Sequence, residues 1–350
     1  MTPLENVRLA EHCTLGVGGP ARFFVEARDE ASVQEALDWA RARRLPLRVL
    51  GCGSNLVVAD EGIDGLVVKI ALRGVDTRAA HGAVELTAAA GEPWDELVRK
   101  SVERGWAGFE CLSGIPGLVG ATPMQNVGAY GQEVSETVTV VRALDASTGR
   151  VVAFENRECR FTYRDSLFRS GEPGRYVILS VGYRLRPQGP ATVRYADVEK
   201  DLASRGIATP SLGDVRASVI AIRRSKSMVL DPHDENRRSC GSFFTNPIIP
   251  GPDLAAVESR AGDATMPRWV LPDGRVKLSA AWLIERAGYA RGRADGPVGV
   301  STRHALAIVA RDGARARDVV AFACRVQTAV EKRFGLRLTP EPVFWGVAAP

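Results

Sequence analysis

The stretch LSGIPGLVGATPMQNVGAYGQEV, residues 112–134, decides the fold more than any other part of the sequence. It contains two prolines and, between residues 112 and 132, no lysine, arginine or aspartate. Its glycines are Gly114, Gly117, Gly120, Gly128 and Gly131. So much glycine excludes a stable helix, and so little charge is unlike an exposed linker. The stretch predicts either a segment wrapped closely around a flat ring or a pyrophosphate, with Gln125 and Asn126 bonding its heteroatoms, or an irregular loop packed on its own core.

The length of 350 residues exceeds what one compact core usually holds, which predicts two or three domains. Hydrophobic residues make up 45% of the chain and charged residues 25%, as in soluble globular proteins. No apolar run approaches the roughly 18 residues of a membrane-spanning helix, and the first residues lack the apolar core of a signal peptide. We therefore expect a cytoplasmic protein with no membrane partner.

Six cysteines and four histidines are scattered singly, without the paired spacing of zinc sites or disulfide frameworks. We therefore expect no metal and a reducing compartment. The net charge is +5, but the arginines alternate with acidic residues and form no basic stripe. This pattern argues against nucleic acid as a partner.

Helix and strand patterns alternate in the first half of the chain. Residues 29–46 show the three-to-four spacing of an amphipathic helix, with Ser32 and Glu35 placed as a capping box. A second helix is expected from about Pro93 to Glu103, closed by Gly105. Short runs rich in valine, isoleucine and leucine predict strands at 47–51, 65–72 and 83–91, and alternation over 137–185 predicts an antiparallel sheet.

Helical patterns dominate the last part of the chain. A helix carrying Val215, Val219 and Ile222 ends in basic residues before a turn-rich stretch, so we place a domain boundary near residue 222. Two further helices are expected within 278–288 and 316–335, each ending at a glycine.

The motif LGCGSNLVV, residues 50–58, has two glycines separated by one residue, which lets the backbone approach a ligand closely. Ser54 and Asn55 add hydrogen-bond donors, as in a phosphate cradle. The Rossmann fingerprint needs a third glycine that opens a helix, but a strand-like run follows here. The pattern alone favours a tight hairpin.

Three further motifs carry polar residues in unusual settings. FTYRDSLFR, residues 161–169, sets Tyr163 and Arg164 between apolar flanks, either as a solvated loop or as a cation placed to hold an anion. In SCGSFFTNP, residues 239–247, Ser242 lacks the glycines around a serine nucleophile, so a strand end with a turn serine is favoured. In LTPEPVFWG, residues 338–346, prolines fix the backbone on both sides of Glu341, although a lone glutamate is ordinarily a surface residue.

Together these segments resemble the bacterial flavoenzyme family of UDP-N-acetylenolpyruvoylglucosamine reductases. The resemblance spans nearly the whole chain, and although each motif is modest, the ordered set is highly specific. The motifs are TLGVGGPARFFVEA, LGCGSNLVV, IPGLVGATPMQNVGAYG, ECRFTYRDSLF, CGSFFTNP, DGRVKLSAAWLIERAG and LTPEPVFWG.

The resemblance implies a three-domain α+β protein, in which two domains form an FAD-binding fold of the vanillyl-alcohol-oxidase type. The expected parts are a first FAD-binding subdomain at 1–72 joined by 335–350, a second at 73–221, and a substrate-binding domain at 222–334. NADPH, as co-substrate, would reduce noncovalently bound FAD. Flavin N5 would then pass hydride to C3 of UDP-N-acetylglucosamine enolpyruvate. The product would be UDP-N-acetylmuramate. The resemblance therefore implies an oxidoreductase of peptidoglycan synthesis, and hence of cell-wall formation and cell division. We expect the protein to act as a monomer.

The resemblance also implies roles for individual residues. Arg164 and Glu341 would polarise the substrate carboxylate, with Glu341 protonated or bridged by a donor, and Ser242 would deliver a proton to C2. The substrate-binding residues would be Tyr163, Tyr195, Lys226 and Asn246, with Tyr195 on a loop that closes over the substrate. The FAD-binding residues would be Gly51, Cys52, Gly53, Ser54, Asn55, Ile115, Pro116, Gly117, Gly120, Ala121, Gln125, Asn126, Gly128, Ala129, Tyr130 and Gly131.

Two alternatives remain at this point. A flavin-dependent alcohol or sugar oxidase on the same fold would keep the glycine-rich loops but has no need of Arg164, Ser242 and Glu341 together. A flavin- or nucleotide-binding protein without turnover would bind the cofactor and would not oxidise NADPH in the presence of substrate.

Overall fold

The computed structural model describes residues 1–262 and 265–350. The helices are α1 (Glu30–Ala42), α2 (Trp94–Glu103), α3 (Ala196–Ser204), α4 (Leu212–Ser225), α5 (Leu254–Ala261), α6 (Ala280–Arg286) and α7 (Ala316–Phe334). The strands are β1 (Leu4–Arg8), β2 (Pro20–Ala27), β3 (Leu47–Leu50), β4 (Leu56–Val58), β5 (Ile63–Ile70), β6 (Val75–Ala80), β7 (Ala83–Ala89), β8 (Trp106–Ala107), β9 (Gly128–Ala129), β10 (Gln132–Glu133), β11 (Val138–Asp145), β12 (Arg150–Glu155), β13 (Tyr176–Pro187), β14 (Ser239–Ser242), β15 (Ile248–Ile249), β16 (Arg268–Val270), β17 (Val276–Leu278), β18 (Ala294–Asp295), β19 (Val298–Val300), β20 (Ala307–Ala310) and β21 (Val343–Trp345).

The described chain divides into two compact units, each with a core of buried apolar residues. The first unit comprises Met1–Val7, Ala21–Cys52 and Asp64–Leu230, and the second comprises Arg8–Pro20, Gly53–Ile63 and Asp231–Pro350. The expected boundary near residue 222 lies inside α4. The expected three-domain division itself stays a prediction.

The first unit contains two main sheets. In the smaller sheet the strand order is β1-β2-β5-β3, and β3 runs parallel to β5. The larger sheet is antiparallel in the order β12-β11-β13-β7-β6, and β8 adds to β13. The antiparallel sheet predicted over 137–185 is therefore confirmed.

Helix α1 forms within the predicted range, but its predicted capping box is wrong. The side chain of Asp29 accepts from the N–H of Ser32 at 2.7 Å, and the hydroxyl of Ser32 accepts from the N–H of Asp29 at 3.2 Å. Ser32 is therefore the inner member of the box, one turn earlier than expected. Glu35 instead pairs with the amino group of Met1.

The glycine-rich stretch rests on α2 and β7 through backbone hydrogen bonds. The N–H of Trp94 donates to the carbonyl of Gly117 at 3.0 Å, and the N–H of Gly120 donates to that of Ala90 at 2.9 Å. The indole Nε1 of Trp94 donates to the carbonyl of Leu112 at 3.1 Å. An irregular loop packed on its own core, one of the two predicted alternatives, therefore describes these residues.

Asp95, in the first turn of α2, joins the same stretch to α4. Its carboxylate accepts from the N–H of Gly114 at 2.6 Å and from two guanidinium nitrogens of Arg216 at 2.6 and 2.9 Å. Desolvation acts to raise the pKa of Asp95, but the hydrogen bonds from Arg216 and Gly114 outweigh it and lower the pKa below 3.8. The ionised carboxylate therefore holds three donors at once.

The second unit is organised around α7. Its sheets have the strand orders β14-β20-β19-β18 and β15-β17-β16, and β21 pairs in parallel with β4. Val319, Phe322, Val326 and Val330 of α7 are buried in its core. Helices α6 and α7 confirm the two predicted within 278–288 and 316–335.

The tight hairpin favoured at residues 50–58 is wrong. Strand β3 lies beside β5, whereas β4 lies beside β21, so the two flanking strands do not pair with each other. The two-glycine turn carries the chain from one unit to the other between Cys52 and Gly53. The turn residues therefore do not close a hairpin. The local sequence could not show this, because it does not reveal which strands pair.

Among the helices of the described residues, none combines the length and the apolar character that crossing a bilayer requires. The same residues also bring together no group of three or more His, Cys, Asp or Glu side chains suited to holding a metal ion.

Replacing Asp95 by asparagine should lower the free energy of unfolding by about 1 kcal/mol at neutral pH, because the half-exposed ion pair is screened by water. Since folding lowers the pKa of this carboxyl below 3.8, its stabilising contribution is present above that pH and is lost as the pH falls through the folded value. The difference between wild-type and variant urea midpoints should therefore be largest at neutral pH and shrink in acid.

The matched control is Asp76→Asn, which removes an exposed carboxylate from β6. This variant should stay within about 0.5 kcal/mol of the wild type at every pH. A deficit of Asp95→Asn that persists unchanged into strong acid would show that the carboxylate charge is not what holds Gly114 and Arg216.

Candidate active site

Arg164 lies at the tip of a tight turn. The N–H of Thr162 donates to the carbonyl of Asp165 at 3.1 Å, and the N–H of Asp165 donates to that of Thr162 at 3.3 Å. The φ of Arg164 is 56°, in the left-handed region that favours glycine, and holding another residue there costs roughly 1–2 kcal/mol. Such strain persists where surrounding contacts impose one side-chain position, which makes Arg164 a functional candidate.

Side-chain hydrogen bonds tie the Arg164 turn and the residues after it to the glycine-rich stretch. The pairs are Asn126 Nδ2 with Thr162 O (3.1 Å), Ser166 Oγ with Met124 O (2.6 Å) and Arg169 Nη1 with Gln125 Oε1 (2.9 Å). The buried Asn126 also donates to Glu133 at 2.6 Å. These amides thus position Arg164, and the prediction that Gln125 and Asn126 contact a cofactor stays a prediction.

A second tight turn presents Tyr130. Strands β9 and β10 pair through Ala129 and Gln132, which leaves Tyr130 and Gly131 as a two-residue hairpin loop. Their φ values are 49° and 82°, the positive pair that defines a type I′ turn. Tyr130 is thus a second non-glycine residue held in the left-handed region. Beside it, a Cβ built on Gly128 would lie 3.6 Å from Nη1 of Arg164, so the two turns are neighbours.

Two tyrosines and a buried guanidinium meet beside these turns. The rings of Tyr130 and Tyr195 contact edge to face with centroids 5.4 Å apart, and the positive charge of Arg223 acts on the Tyr130 hydroxyl. Burial raises the pKa of Tyr130 to about 12 and also raises that of Tyr195. Both hydroxyls therefore keep their protons at neutral pH and can donate to an anion.

Arg223 is a residue of this cluster that the sequence interpretation missed. It is 8% exposed, donates to the carbonyl of Met228 at 2.6 Å, and has an Nε without a partner among the described residues. Burial lowers its pKa. The signal was its spacing, because Val215, Val219 and Arg223 recur every four residues on the buried face of α4.

Lys226, at the end of α4, pairs with Asp197 in the first turn of α3. Its Nζ lies 3.0 Å from the Asp197 carboxylate, and both side chains are half-exposed. Tyr195 precedes α3 directly and is 38% exposed. The structure therefore brings together, in the first unit, Tyr195, Lys226, Tyr130 and the Arg164 turn.

The chain leading to Tyr195 is anchored at Thr192 by a buried carboxylate. Glu110, fully buried, accepts from the N–H of Thr192 at 2.8 Å and from the amide of Gln132 at 3.3 Å. Gln132 also donates to the Thr192 hydroxyl at 3.3 Å. Thr192 is therefore held in place, and any movement of Tyr195 involves only the chain that follows Thr192.

Gly51 and the stretch from Ile115 to Leu118 are neighbours in the first unit. A Cβ on Gly51 would meet only the side chain of Leu118, at 3.7 Å, so packing against the protein does not itself require glycine there. The apolar stretch from Ile115 to Leu118 is only half-buried. The predicted cofactor residues in this unit are Gly51, Cys52, Ile115, Pro116, Gly117, Gly120, Ala121, Gln125, Asn126, Gly128, Ala129, Tyr130 and Gly131.

Ser242 and Glu341 lie close together in the second unit. Ser242 ends β14, which confirms the predicted strand end, and it is followed by the fully buried Phe243. The N–H of Glu341 donates to the carbonyl of Phe243 at 2.9 Å. The amide of Asn55 donates to the Glu341 carbonyl at 3.4 Å. Glu341 is therefore fixed by backbone contacts beside the serine strand.

The other predicted residues of the second unit are Gly53, Ser54 and Asn246. The left-handed Gly53 approaches the carbonyl of His12 too closely for any side chain. Oδ1 of Asn246 accepts from the N–H of Ala280 at 2.9 Å, which satisfies a donor at the start of α6. The Asn246 amide nitrogen thus points away from that helix as a donor.

Two family models match this chain, and they cover separate parts of it. Residues 231–345 match the family model described as UDP-N-acetylenolpyruvoylglucosamine reductase, C-terminal domain, and residues 21–155 match the one described as FAD binding domain. The C-terminal match begins at Asp231, where the longest segment of the second unit also begins.

Relatives named UDP-N-acetylenolpyruvoylglucosamine reductase match over nearly the whole chain. That of Saccharopolyspora erythraea is 47% identical and the match covers 98% of this chain and 95% of the relative. That of Pseudomonas aeruginosa is 42% identical, with 96% and 99% covered. The crystal structure of UDP-N-acetylenolpyruvylglucosamine reductase from Thermus caldophilus aligns with a TM-score of 0.67 at 26% identity, covering 97% and 98%. The α+β fold class is confirmed.

Replacing Gly131 by alanine should destabilise the first unit for two reasons. Its φ of 82° penalises any side chain, and the new Cβ would lie 2.8 Å from Cβ of Arg194, next to Tyr195. We expect the free energy of unfolding to fall by about 2–3 kcal/mol, from the left-handed backbone and the overpacking together. Urea denaturation measures the loss, and near-ultraviolet circular dichroism reports the Tyr130–Tyr195 contact.

Gly82→Ala is the matched control, because Gly82 has a φ of 73° and nothing within 4 Å of its added Cβ. It should lose only the backbone contribution of about 1 kcal/mol and leave the tyrosine signal intact. Equal losses in the two variants would mean that Gly131 is required by its φ alone, with no packing against Arg194.

Proposed function

The chain belongs to the UDP-N-acetylenolpyruvoylglucosamine reductase family, and from this premise we propose how its own residues carry out the family's reaction. The protein is an FAD-dependent oxidoreductase that reduces the enolpyruvyl ether of UDP-N-acetylglucosamine in peptidoglycan synthesis. The observation that carries the proposal is the strained turn of Arg164, which the glycine-rich stretch holds in place.

The residues on both sides of the two-glycine turn suit FAD. Gly51 and the half-buried stretch from Ile115 to Leu118 would lie against the isoalloxazine, and the backbone of residues 51–55 would bind the pyrophosphate. The bound cofactor would supply hydride transfer, without covalent attachment, from NADPH to the vinyl carbon C3 of the substrate. The small side chains along this surface would exclude water without obstructing the ring.

Arg164 would hold the carboxylate of the enolpyruvyl group. When C3 gains hydride, negative charge moves through C2 onto that carboxylate, so a fixed cation stabilises the transition state more than the ground state. The Thr162–Asp165 turn preorganises the guanidinium, and Tyr163 lies under it with 5.7 Å between the guanidinium carbon and the ring centroid. These contacts offset the backbone strain of Arg164 in the ligand-free protein.

Ser242 would deliver the proton to C2. A serine hydroxyl is a weak acid, so transfer becomes favourable only as charge builds on C2. Glu341, tied by its backbone to the residue after Ser242, would contact the same carboxylate from the serine side. For Glu341 to attract the carboxylate, it must be protonated or reach it through a donor.

Lys226, Tyr195 and Asn246 would bind the diphosphate of the substrate. An ammonium and a tyrosine hydroxyl are suited to phosphate oxygens, and the Asn246 amide nitrogen remains directed away from α6 as a donor. Tyr195 would close over the substrate from its position before α3 and exclude water.

We further propose that the enzyme acts as a cytoplasmic monomer. Free thiols are present at Cys52, Cys111, Cys159, Cys240 and Cys324, as a reducing compartment maintains them, and three of these five are buried. Nucleic acid plays no part in this proposal.

Replacing Ser242 by alanine should separate the two half-reactions. Anaerobic reduction of the flavin by NADPH should keep its rate, because it needs no proton at C2, whereas reoxidation by UDP-N-acetylglucosamine enolpyruvate should slow by about 10²–10⁴-fold. Stopped-flow absorbance of the flavin band measures both rates.

The matched control is Ser239→Ala in the same strand, which should retain both half-reactions within about twofold. Wild-type flavin that stays reduced until air is admitted would favour the oxidase alternative. A protein that binds flavin but is never reduced by NADPH would favour the binding protein without turnover.

Replacing Arg164 by glutamine should slow reoxidation by the substrate about 10²–10³-fold, because the developing charge on the carboxylate loses its cation. Reduction by NADPH should change little. Stopped-flow absorbance again measures both steps.

Arg160→Gln is the matched control, since Arg160 is an exposed arginine of the same loop with a φ of 50°. It should keep the wild-type rate. Equal slowing in both variants would assign the effect to general positive charge on the loop and would contradict a specific role for Arg164.

A further inference from the structure

Asp197 forms an ion pair with Lys226, which supplies the one ammonium group of the proposed diphosphate site. Its carboxylate lies 3.0 Å from Nζ of Lys226, and it belongs to α3, which begins directly after Tyr195. The side chains of Lys226 and Asp197 keep 35% and 45% of their accessible surface. The ion pair is therefore open to water, and an entering anion can reach it.

Tyr130 and Arg223 lie near this pair, and Asp201 adds a carboxylate one turn further along α3. Arg223 is buried against the Tyr130 hydroxyl and experiences the charge of Arg164. Asp95, the carboxylate that acts on Arg223, is already held by Arg216 and the N–H of Gly114. Asp197 is thus the carboxylate among the described residues that meets Lys226.

We propose that Asp197 is an internal anion that competes with the substrate diphosphate for Lys226, an inference that rests on the proposed function. In the ligand-free protein it neutralises the ammonium and holds the start of α3 against the end of α4. A diphosphate that binds Lys226 must displace the carboxylate, so binding includes the cost of separating this pair. Asp197 therefore weakens diphosphate affinity and couples it to movement of the neighbouring Tyr195.

The structural alternative is an ordinary helix-terminal ion pair. An acidic residue in the first turn of a helix is stabilised by the helix dipole without any functional role. Glu199, also in the first turn of α3 but exposed, provides the comparison because its amide variant removes the same charge from the same helix end.

The test is calorimetric titration of the FAD-loaded full chain with UDP and, separately, with uridine, which lacks the diphosphate. Asp197→Asn should bind UDP about two- to fivefold more tightly than the wild type, the range expected from releasing an exposed ion pair. Its uridine affinity should be unchanged, and Glu199→Gln should match the wild type with both ligands. Raised salt should reduce the gain, because both the pair and the competition are screened.

A double-mutant cycle with Lys226→Gln identifies the route of the effect. Lys226→Gln alone should weaken UDP binding, and adding Asp197→Asn to it should give no further gain, since no ammonium remains to be released. A gain that persists in the double variant would overturn the competition and leave a general field effect.

Other outcomes separate this inference from the function on which it rests. If Lys226→Gln weakens UDP binding while Asp197→Asn equals Glu199→Gln or binds more weakly, competition by Asp197 is overturned and the diphosphate role of Lys226 stands. If Lys226→Gln leaves UDP affinity unchanged, the proposed diphosphate site itself fails, and the inference fails with it. Equal flavin content and urea midpoints across the variants confirm that all are folded.

Discussion

The glycine-rich stretch must satisfy its backbone N–H and C=O groups without forming a long helix or strand, and the first unit is arranged around that requirement. Its polar groups bond to Trp94, Ala90 and Asp95, at the start of α2 and the end of β7. Because the stretch is fixed at these points, the turns that follow it are fixed as well. The position of the site in the first unit is thus a consequence of backbone hydrogen bonding more than of side-chain packing.

Left-handed conformations at non-glycine residues, Tyr130 and Arg164 among them, belong to the same arrangement. Tyr130 occupies a type I′ turn of the stretch itself, and Arg164 occupies a turn hydrogen-bonded to Asn126 of the stretch. Each conformation costs free energy that a glycine would not, and each fixes a long side chain that would otherwise lose entropy on binding a ligand. Strain in the empty protein is therefore exchanged for a smaller ordering cost when the ligand binds.

Local patterns were sufficient where the relevant interactions are local. Helices α1, α2, α4, α6 and α7 and the antiparallel sheet were predictable because apolar periodicity and closing glycines act over a few residues, whereas α3 and α5 were not predicted. The turn at Gly53 was mistaken for a hairpin because its flanking strands pair with other strands, β3 with β5 and β4 with the distant β21. Ser242 and Glu341 are far apart in the sequence, so only the resemblance carried by the ordered motifs indicated that they belong to one site. The four-residue spacing places Arg223 on the buried face of α4, but only the structure shows what Arg223 and Asp197 contact, since charged residues at helix ends are ordinarily solvated.

The buried cation Arg223 and the charges around it impose a cost on the ligand-free first unit. Arg223 experiences the like charge of Arg164 and the opposite charge of Asp95, while Lys226 pairs with Asp197. Burying Arg223 with an unsatisfied Nε destabilises the ligand-free protein, because a desolvated donor without a partner costs free energy. In the proposed site, a substrate that carries a carboxylate and a diphosphate would add negative charge beside these cations. Ligand binding should then stabilise the folded protein by mass action and offset the cost of the buried Arg223.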